Sequence, residues 1–185
     1  MRTSLSSLAI AAALAAAAIL AVPQPAAAAT AAELQRDAQN ALNSLYAKNP
    51  GAKAIGKDAV AVLVFPSVVK AGLGVGGQFG EGVLFRGGKA SAYYNTAGAS
   101  VGLQAGAQKY GYAMFFLSEE TLKSLDKAEG FEVGVGPSVV VADQGLAKST
   151  TTTTVKDKIY AFIFDQKGAM AALGIQGNKI TKIKK

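Results

Sequence analysis

Glycine occupies alternate positions in the segment 72–76, which reads GLGVG. In segments 98–108 and 131–136 the glycines are likewise two or four positions apart. Successive side chains of a β-strand point to opposite faces, so this spacing predicts strands with one face that lacks side chains. Each glycine weakens a strand by roughly 0.5–1 kcal/mol, and the repetition therefore indicates a geometric requirement. The pattern predicts an α+β fold with a curved or barrel-like, mainly antiparallel, glycine-rich β-sheet.

The same glycines match the pattern G-x-G-x-x-G at Gly72, Gly74 and Gly77. A dinucleotide-binding loop with this pattern ends a strand, opens a helix and is followed about 20 residues later by an acidic residue. Here the following segment is strand-like, and position 97 is alanine. We therefore assign the glycines to backbone geometry and predict no phosphate-binding loop.

Two segments carry helix signals. Residues 31–48 follow a capping box, Thr30-Ala-Ala-Glu33, and repeat their apolar side chains at helical spacing. Asn49-Pro50-Gly51 is a stop signal, so one N-terminal helix is predicted over 31–48. Ser118 is a good N-cap for a short internal helix, which is predicted over 119–129.

Three apolar runs have the composition of central strands covered on both faces. These runs lie at 59–65, 112–117 and 159–164. A hairpin turn is predicted at 86–89, where two glycines separate two strand-like segments. Further along, the threonine-rich segment 149–155 predicts a polar edge strand, and residues 174–183 predict a closing hairpin.

The N-terminal segment has the features of a secretory signal peptide. Arg2 precedes an apolar stretch, and small residues stand at 27–29 as in a cleavage site. The apolar stretch is about 15 residues long, shorter than the ~20 that span a bilayer, which favours cleavage near Ala29 over a membrane anchor. We expect a signal peptide over 1–29, a single domain over 30–185, and export to the periplasm or cell envelope, with secretion as the alternative.

The chain contains no cysteine and no histidine. This excludes Ser-His-Asp and Cys-His nucleophiles in their usual form, and it removes the usual ligands of zinc and copper. The remaining carboxylates Glu81, Glu132 and Asp143 lie in separate segments and form no recognisable acid–base pair. The sequence predicts a protein that is not an enzyme and that uses no cofactor or metal.

The positive charge is concentrated at the C-terminal end. Residues 30–147 contain ten basic and ten acidic residues, whereas 148–185 contain eight lysines and only Asp157 and Asp165, a net charge of +6. A basic end predicts an anionic partner such as phospholipid, although it is equally typical of a solubilising terminus. Export makes nucleic acid the least favoured partner.

Two blocks of the sequence resemble the SYLF domain family. The first is VFPSVVKAGLGVGGQFGEGVLF at 64–85, and the second is GASVGLQAGAQ at 98–108, followed by FFLSEETLKSL at 115–125. The resemblance extends over about 52–185 and implies a lipid-binding module, of the kind that binds phosphoinositides in eukaryotes. Some fungal members also bind actin, which an exported bacterial protein would not meet.

The favoured function is therefore binding of anionic phospholipid at a membrane surface through lysines and one arginine. The alternative is a structural or interaction module of the bacterial envelope, which would bind another protein through the edge strand or a glycine-lined face. The oligomeric state is not assigned. The candidate lipid-binding residues are Lys179, Lys182, Lys184, Lys185, Lys156, Lys158, Lys70, Arg86, Lys89 and Lys109.

Overall fold

The computed structural model describes residues 29–126, 131–132, 139–141, 159–170 and 178–185. The expected signal peptide up to residue 28, the expected edge strand at 149–155 and the candidates Lys156 and Lys158 lie outside these ranges. So does the first part of the expected closing hairpin, up to residue 177.

Helix α1 (Ala31–Lys48) has the predicted bounds and the predicted capping box. The backbone N–H of Glu33 donates to Thr30 Oγ1 at 3.3 Å, and the backbone N–H of Thr30 donates to Glu33 Oε2 at 2.9 Å. These two hydrogen bonds satisfy donors that the start of a helix leaves unpaired. The buried face of α1 carries Leu34, Ala38, Leu42 and Leu45, so the prediction of an amphipathic helix docked on a sheet is confirmed.

Helix α2 (Pro50–Asp58) was not predicted, because Asn49-Pro50-Gly51 was interpreted only as a stop signal. Asn49 ends α1 and also caps α2, since its side chain accepts a hydrogen bond from the backbone N–H of Ala52 at 3.0 Å. Proline is favoured in the first turn of a helix because the N–H that it lacks is unpaired there anyway. The same three residues therefore stop one helix and start the next.

Strands β1 (Ala61–Arg86) and β2 (Lys89–Phe116) form one long antiparallel hairpin, paired from Ala61–Phe116 to Arg86–Lys89. Gly87 and Gly88 form the predicted turn, with φ angles of 54° and 76°. Positive φ at both central residues suits the right-handed twist of a two-residue hairpin.

The other strands extend the sheet on the far side of β2. The described strands follow the order β3 (Phe131–Glu132), β6 (Lys179–Ile183), β2, β5 (Ile159–Met170) and β4 (Val139–Val141), with β1 also paired to β2. β6 pairs with residues 93–97 of β2, and β5 pairs with residues 106–116. All described pairings are antiparallel except that of β4 with β5. The curved, mainly antiparallel sheet is confirmed, and its described strands do not close into a barrel.

Helix α3 (Glu119–Lys123) continues into a single 3₁₀ turn (Ser124–Asp126). Ser118 is the N-cap as predicted, since its hydroxyl accepts the backbone N–H of Thr121 at 3.2 Å. The α-helical part ends at Lys123, earlier than predicted, and the expected end near residue 129 lies outside the described ranges.

The two faces of the curved sheet bury two separate cores. One face packs Leu63, Met114 and Phe116 against Leu122 and Leu125 of the α3 region. The other face is covered by α1 and α2. The predicted double coverage of the apolar strands is thereby confirmed. No helix in the described ranges is long and apolar enough to cross a membrane.

Candidate functional site

The β1–β2 hairpin folds sharply at residues 72–76, a segment that we call the glycine bend. A methyl group at Gly72 would lie 2.5 Å from the Cα of Gly76, and Gly74 has a φ of 73°. Between the pairs Leu73–Ala105 and Val75–Val101, one residue of β1 faces three of β2. Only glycine permits this approach and this φ without strain. The predicted geometric role of the glycine repeat is thus confirmed at this position.

The fold at the glycine bend brings the two halves of β1 into contact. A methyl group at Gly80 would lie 2.8 Å from the carbonyl oxygen of Ser67, and one at Gly82 would lie 2.7 Å from that of Val64. These two glycines therefore lie against their own strand. They form part of the interior and do not offer an open glycine-lined face to a partner.

The glycine bend exposes apolar side chains. Among the residues whose exposure the structure describes, the exposed large apolar side chains all lie between residues 69 and 79. We call them the apolar bend surface: Val69 is 51% exposed, Leu73 84%, Val75 67% and Phe79 53%. Exposed apolar side chains that cluster in this way are typical of binding surfaces.

Lysines lie in register with this surface on the neighbouring strands. Val69 pairs with Lys109, which in turn pairs with Lys167 on β5. Phe79 pairs with Ala97, which pairs with Lys179 on β6. Directly opposite residues of adjacent strands project from the same face, and neighbouring strands are ~4.8 Å apart. These two rows therefore place three exposed lysines beside the apolar bend surface. We call Lys109, Lys167 and Lys179 the bend lysines.

The remaining candidate residues are placed differently. Lys182 and Lys184 are exposed near the C-terminal end, and Lys89 is exposed at the hairpin turn. Arg86, also at the turn, forms an ion pair with Glu119. Ala61, the first residue of β1, lies level with this turn because β1 folds back on itself. From Ala61 to the glycine bend, β1 extends over roughly 40 Å. The candidates therefore do not form one basic patch.

Lys185 is engaged within the fold. Its ammonium lies 2.8 Å from a carboxylate oxygen of Glu81 and donates to the carbonyl of Ala29 at 2.7 Å. The side chain is only 10% exposed. Lys185 thus joins the C-terminal end of the chain to β1 and to the start of α1.

Lys70 lies inside the protein, where it is only 4% exposed. Other buried polar side chains also lie in the interior, and we call the whole set the interior polar cluster. Tyr110 donates a hydrogen bond to Gln78 Oε1 at 3.3 Å, whereas other buried polar atoms of the cluster have no partner. Its members are Lys70, Gln78, Thr96, Gln108, Tyr110, Tyr112 and Asn178.

The tyrosines of the interior polar cluster remain neutral at physiological pH. Burial raises the pKa of Tyr110 and that of Tyr112, and for Tyr112 the neighbouring Tyr110 adds to the effect. Loss of a proton would place a negative charge in a desolvated site, which is unfavourable. Both hydroxyls are therefore available as hydrogen-bond donors.

A surface pocket lies at the opposite end of the sheet from the glycine bend. It is a pocket of about 370 Å³ between the helices and the hairpin turn. Most of its lining is apolar, from Leu42, Val62 and Phe85, and Gln39 and Lys57 add polar groups.

Sequence reasoning located the glycine bend but missed both surfaces that it creates. The exposure of Leu73 and Val75 depends on the unequal pairing with β2, which no local pattern encodes. A signal for the interior polar cluster was present, since Gln78, Thr96 and Tyr112 occupy inward positions of strands that are otherwise apolar or glycine-rich.

The fold and these surfaces define a small α+β protein with a folded hairpin, an apolar tip and flanking lysines. Residues 97–185 match the family model described as Ysc84, Las17-binding protein actin regulator. This match covers 89 of the 185 residues, just under half of the chain, and is to the SYLF domain family that the sequence resembles. A comparison with curated proteins found no significant match.

The matched region contains the second block of the family resemblance, at 98–108. The first block, at 64–85, precedes the match and forms most of β1, the strand that pairs with it. The two blocks thus build the two sides of the glycine bend.

Proposed function

We propose that this protein is a non-enzymatic, exported SYLF protein that binds the surface of anionic phospholipid membranes. The apolar bend surface would enter the lipid layer, and the bend lysines would contact the head groups. The observation that carries the proposal is the position of Val69 and Phe79 in register with lysines on the adjacent strands.

The two kinds of side chain favour the same partner for different reasons. Full burial of a leucine or valine side chain contributes roughly 1.5–3 kcal/mol. Each lysine near an anionic membrane contributes about 1 kcal/mol. A lipid surface satisfies both, because it has an apolar interior beneath a negatively charged layer of head groups.

Vesicle co-sedimentation tests this proposal. The purified protein is mixed with phosphatidylcholine vesicles or with vesicles that also contain phosphatidylglycerol, at low and high salt. We expect binding to the anionic vesicles only, with partial loss at high salt because salt screens the lysines but not the apolar contact. Absence of binding to anionic vesicles at low salt would contradict the proposal.

A charge-matched pair of variants locates the site. The triple change Lys109→Gln, Lys167→Gln and Lys179→Gln is expected to weaken binding about a hundredfold, from about 1 kcal/mol per lysine. The control carries Lys53→Gln, Lys57→Gln and Lys123→Gln, three exposed lysines on α2 and α3. Equal loss in both variants would mean that charge acts without a defined site.

A protein partner is the second candidate, because the description of the matched family names a protein target. The apolar bend surface could also serve such a contact. The edge strand expected at 149–155 lies outside the described ranges and remains a prediction. A protein partner is favoured if the vesicles bind nothing while the change Leu73→Ser abolishes capture of one envelope protein.

A further inference from the structure

The surface pocket between the helices and the hairpin turn has room for a small ligand. Its volume is about 370 Å³, which falls within the ~300–1,000 Å³ that is usual for small-molecule sites. At ~30 Å³ for each water-sized group, this space holds about 12 such groups. A methylene group is of similar size, so an alkyl chain of medium length fits the pocket.

The floor of the pocket is apolar. Leu42 of α1 lines it together with Val62 and Phe85 of β1, and all three side chains belong to the core beneath the helices. Of the lining residues, none has a buried polar side-chain atom that lacks a hydrogen-bond partner. A sugar or a nucleotide would lose hydrogen bonds to water on this floor without replacement, whereas an alkyl chain has none to lose.

Tyr46 and Gly56 contribute a hydroxyl group to the wall of the pocket. A methyl group at Gly56 would overlap the Tyr46 hydroxyl, so glycine lets this ring lie against α2. Glycine is unfavourable inside a helix relative to alanine, and this packing gives a reason for it at position 56. Burial raises the pKa of Tyr46, so its hydroxyl stays protonated at neutral pH and can donate a hydrogen bond to a ligand.

The charge at the pocket is positive. Among the lining residues, Lys57 in the last turn of α2 is the one that carries a charge. It is exposed, and no ion pair with a described residue engages its ammonium. A lysine side chain packs its apolar stem along apolar surface and keeps its charged head in water. An anionic head group at the mouth of the pocket is therefore complementary to Lys57.

We propose that the surface pocket binds a free, single-chain fatty acid of about ten carbons, with its alkyl chain on the apolar floor and its carboxylate at Lys57. Tyr46 and Gln39 supply neutral hydrogen-bond donors at the same pocket. A phospholipid with two long acyl chains exceeds this volume, which favours the free acid. The pocket lies at the opposite end of the sheet from the glycine bend, so binding of the fatty acid does not depend on binding to a membrane.

Calorimetric titration of the purified protein with hexanoate, octanoate and decanoate tests the pocket. We expect saturable binding that becomes about fourfold tighter with each added methylene, as burial of a CH₂ group predicts. Tetradecanoate should bind no more tightly than dodecanoate, because the pocket is then full. An affinity that keeps rising with chain length would indicate an open apolar surface and would contradict a pocket of this size.

The uncharged ligand 1-decanol tests the contact with the head group. Lys57→Met should weaken binding of decanoate about fivefold, as expected for an exposed ion pair, and should leave binding of 1-decanol unchanged. The matched control is Lys53→Met, which removes an exposed lysine one turn earlier on α2 that does not line the pocket. A lysine in the last turn also suits the helix dipole. If Lys57 served only the helix, Lys57→Met would affect both ligands equally, which would contradict the head-group contact.

A larger side chain at Ala59 tests whether the pocket itself is the site. Ala59 lines the pocket and is half-buried, so Ala59→Phe should fill the space and abolish binding of decanoate. Its melting temperature should be unchanged or raised, because the added ring occupies empty volume. A lowered melting temperature together with a wild-type protein that binds no decanoate would mean that another segment of the chain fills the pocket, and would overturn the proposal.

The variant Leu73→Ser with Val75→Ser separates the pocket from the apolar bend surface. It should bind decanoate as wild type does, whatever its behaviour with vesicles. The proposal is overturned if wild-type protein does not bind decanoate, or if Ala59→Phe binds it normally. Loss of decanoate binding in the Leu73 and Val75 variant, with normal binding in Ala59→Phe, would place the fatty acid at the glycine bend instead.

Discussion

Lys109 on β2 lies directly opposite Lys167 on β5, and both side chains are exposed on the face that carries the helices. Like charges directly opposite on antiparallel strands are destabilising, by roughly 0.2–1 kcal/mol. The fold keeps this unfavourable pair at the margin of the apolar bend surface. An anionic partner would convert it into a favourable arrangement.

Reversal of one of these charges should separate stability from binding. We expect Lys109→Glu to raise the free energy of unfolding by about 0.2–1 kcal/mol, because repulsion from Lys167 becomes attraction. The same change should weaken binding to phosphatidylglycerol vesicles. Urea denaturation and co-sedimentation measure the two effects, and Lys57→Glu controls for loss of positive charge elsewhere. A less stable variant with unaltered vesicle binding would argue against a binding role for the pair.

Substitution at the apolar bend surface should affect binding alone. Leu73 and Val75 are 84% and 67% exposed, so the double change Leu73→Ser and Val75→Ser removes little packing from the free protein. We expect vesicle binding to fall at least tenfold at high salt, where the apolar contribution dominates. Unfolding should shift by less than about 0.5 kcal/mol. Wild-type vesicle binding at high salt in this variant would contradict insertion of the glycine bend.

The close contact between the two halves of β1 predicts a position-specific effect of alanine. A methyl group at Gly82 would lie 2.6 Å from the ring of Phe65 and 2.7 Å from the carbonyl oxygen of Val64. We expect Gly82→Ala to lower the free energy of unfolding by about 1–3 kcal/mol. Gly77→Ala is the matched control, because its nearest neighbour, the carbonyl oxygen of Gly98, is 3.7 Å away. Similar unfolding midpoints for the two variants would be inconsistent with the folded hairpin.

An ion pair between α1 and β5 should give a modest pH dependence. Lys48 Nζ lies 2.6 Å from Asp165 Oδ1, and this hydrogen bond is the main cause that lowers the pKa of Asp165 below its ordinary value. A lowered pKa contributes stability above the unfolded pKa of about 3.9, and this stability is lost as the pH falls through the folded value. Because the pair is exposed, its contribution is below about 1 kcal/mol.

The corresponding measurement compares Lys48→Met with wild type by urea denaturation at neutral pH and at an acidic pH near the lower limit of folding. Wild type should be the more stable protein at neutral pH, and the difference should shrink in acid. A difference that is independent of pH would point to packing of the lysine chain instead of the ion pair.

Local signals were sufficient for the regular elements but not for the relations between them. The capping box at Thr30, the hairpin turn at 86–89 and the three apolar strands were all read correctly from the sequence. Helix α2 was missed because Asn49 and Pro50 fit a helix stop and a helix start equally well. Which of the two applies depends on how residues 50–58 pack beneath α1, which is a tertiary effect.

The candidate surfaces depend on register, which sequence does not give. Lys109 and Lys179 were predicted as lipid contacts from charge, but their alignment with Val69 and Phe79 arises from strand pairing. Lys70 was also predicted as a lipid contact, but in the structure it is only 4% exposed. The irregular pairing of β1 with β2 between Phe65 and Val68 places Val68 and Lys70 on the interior face, and the strand composition alone does not reveal this.

Fluorescence from an introduced tryptophan tests insertion of the glycine bend most directly, because the chain contains no tryptophan of its own. The variant Leu73→Trp places the probe on the apolar bend surface, and Lys89→Trp places it at the hairpin turn. We predict a blue shift of emission for Leu73→Trp with phosphatidylglycerol vesicles, none with phosphatidylcholine, and none for Lys89→Trp with either. Unshifted emission from Leu73→Trp in vesicle-bound protein, or a shift at Lys89→Trp instead, would contradict the account.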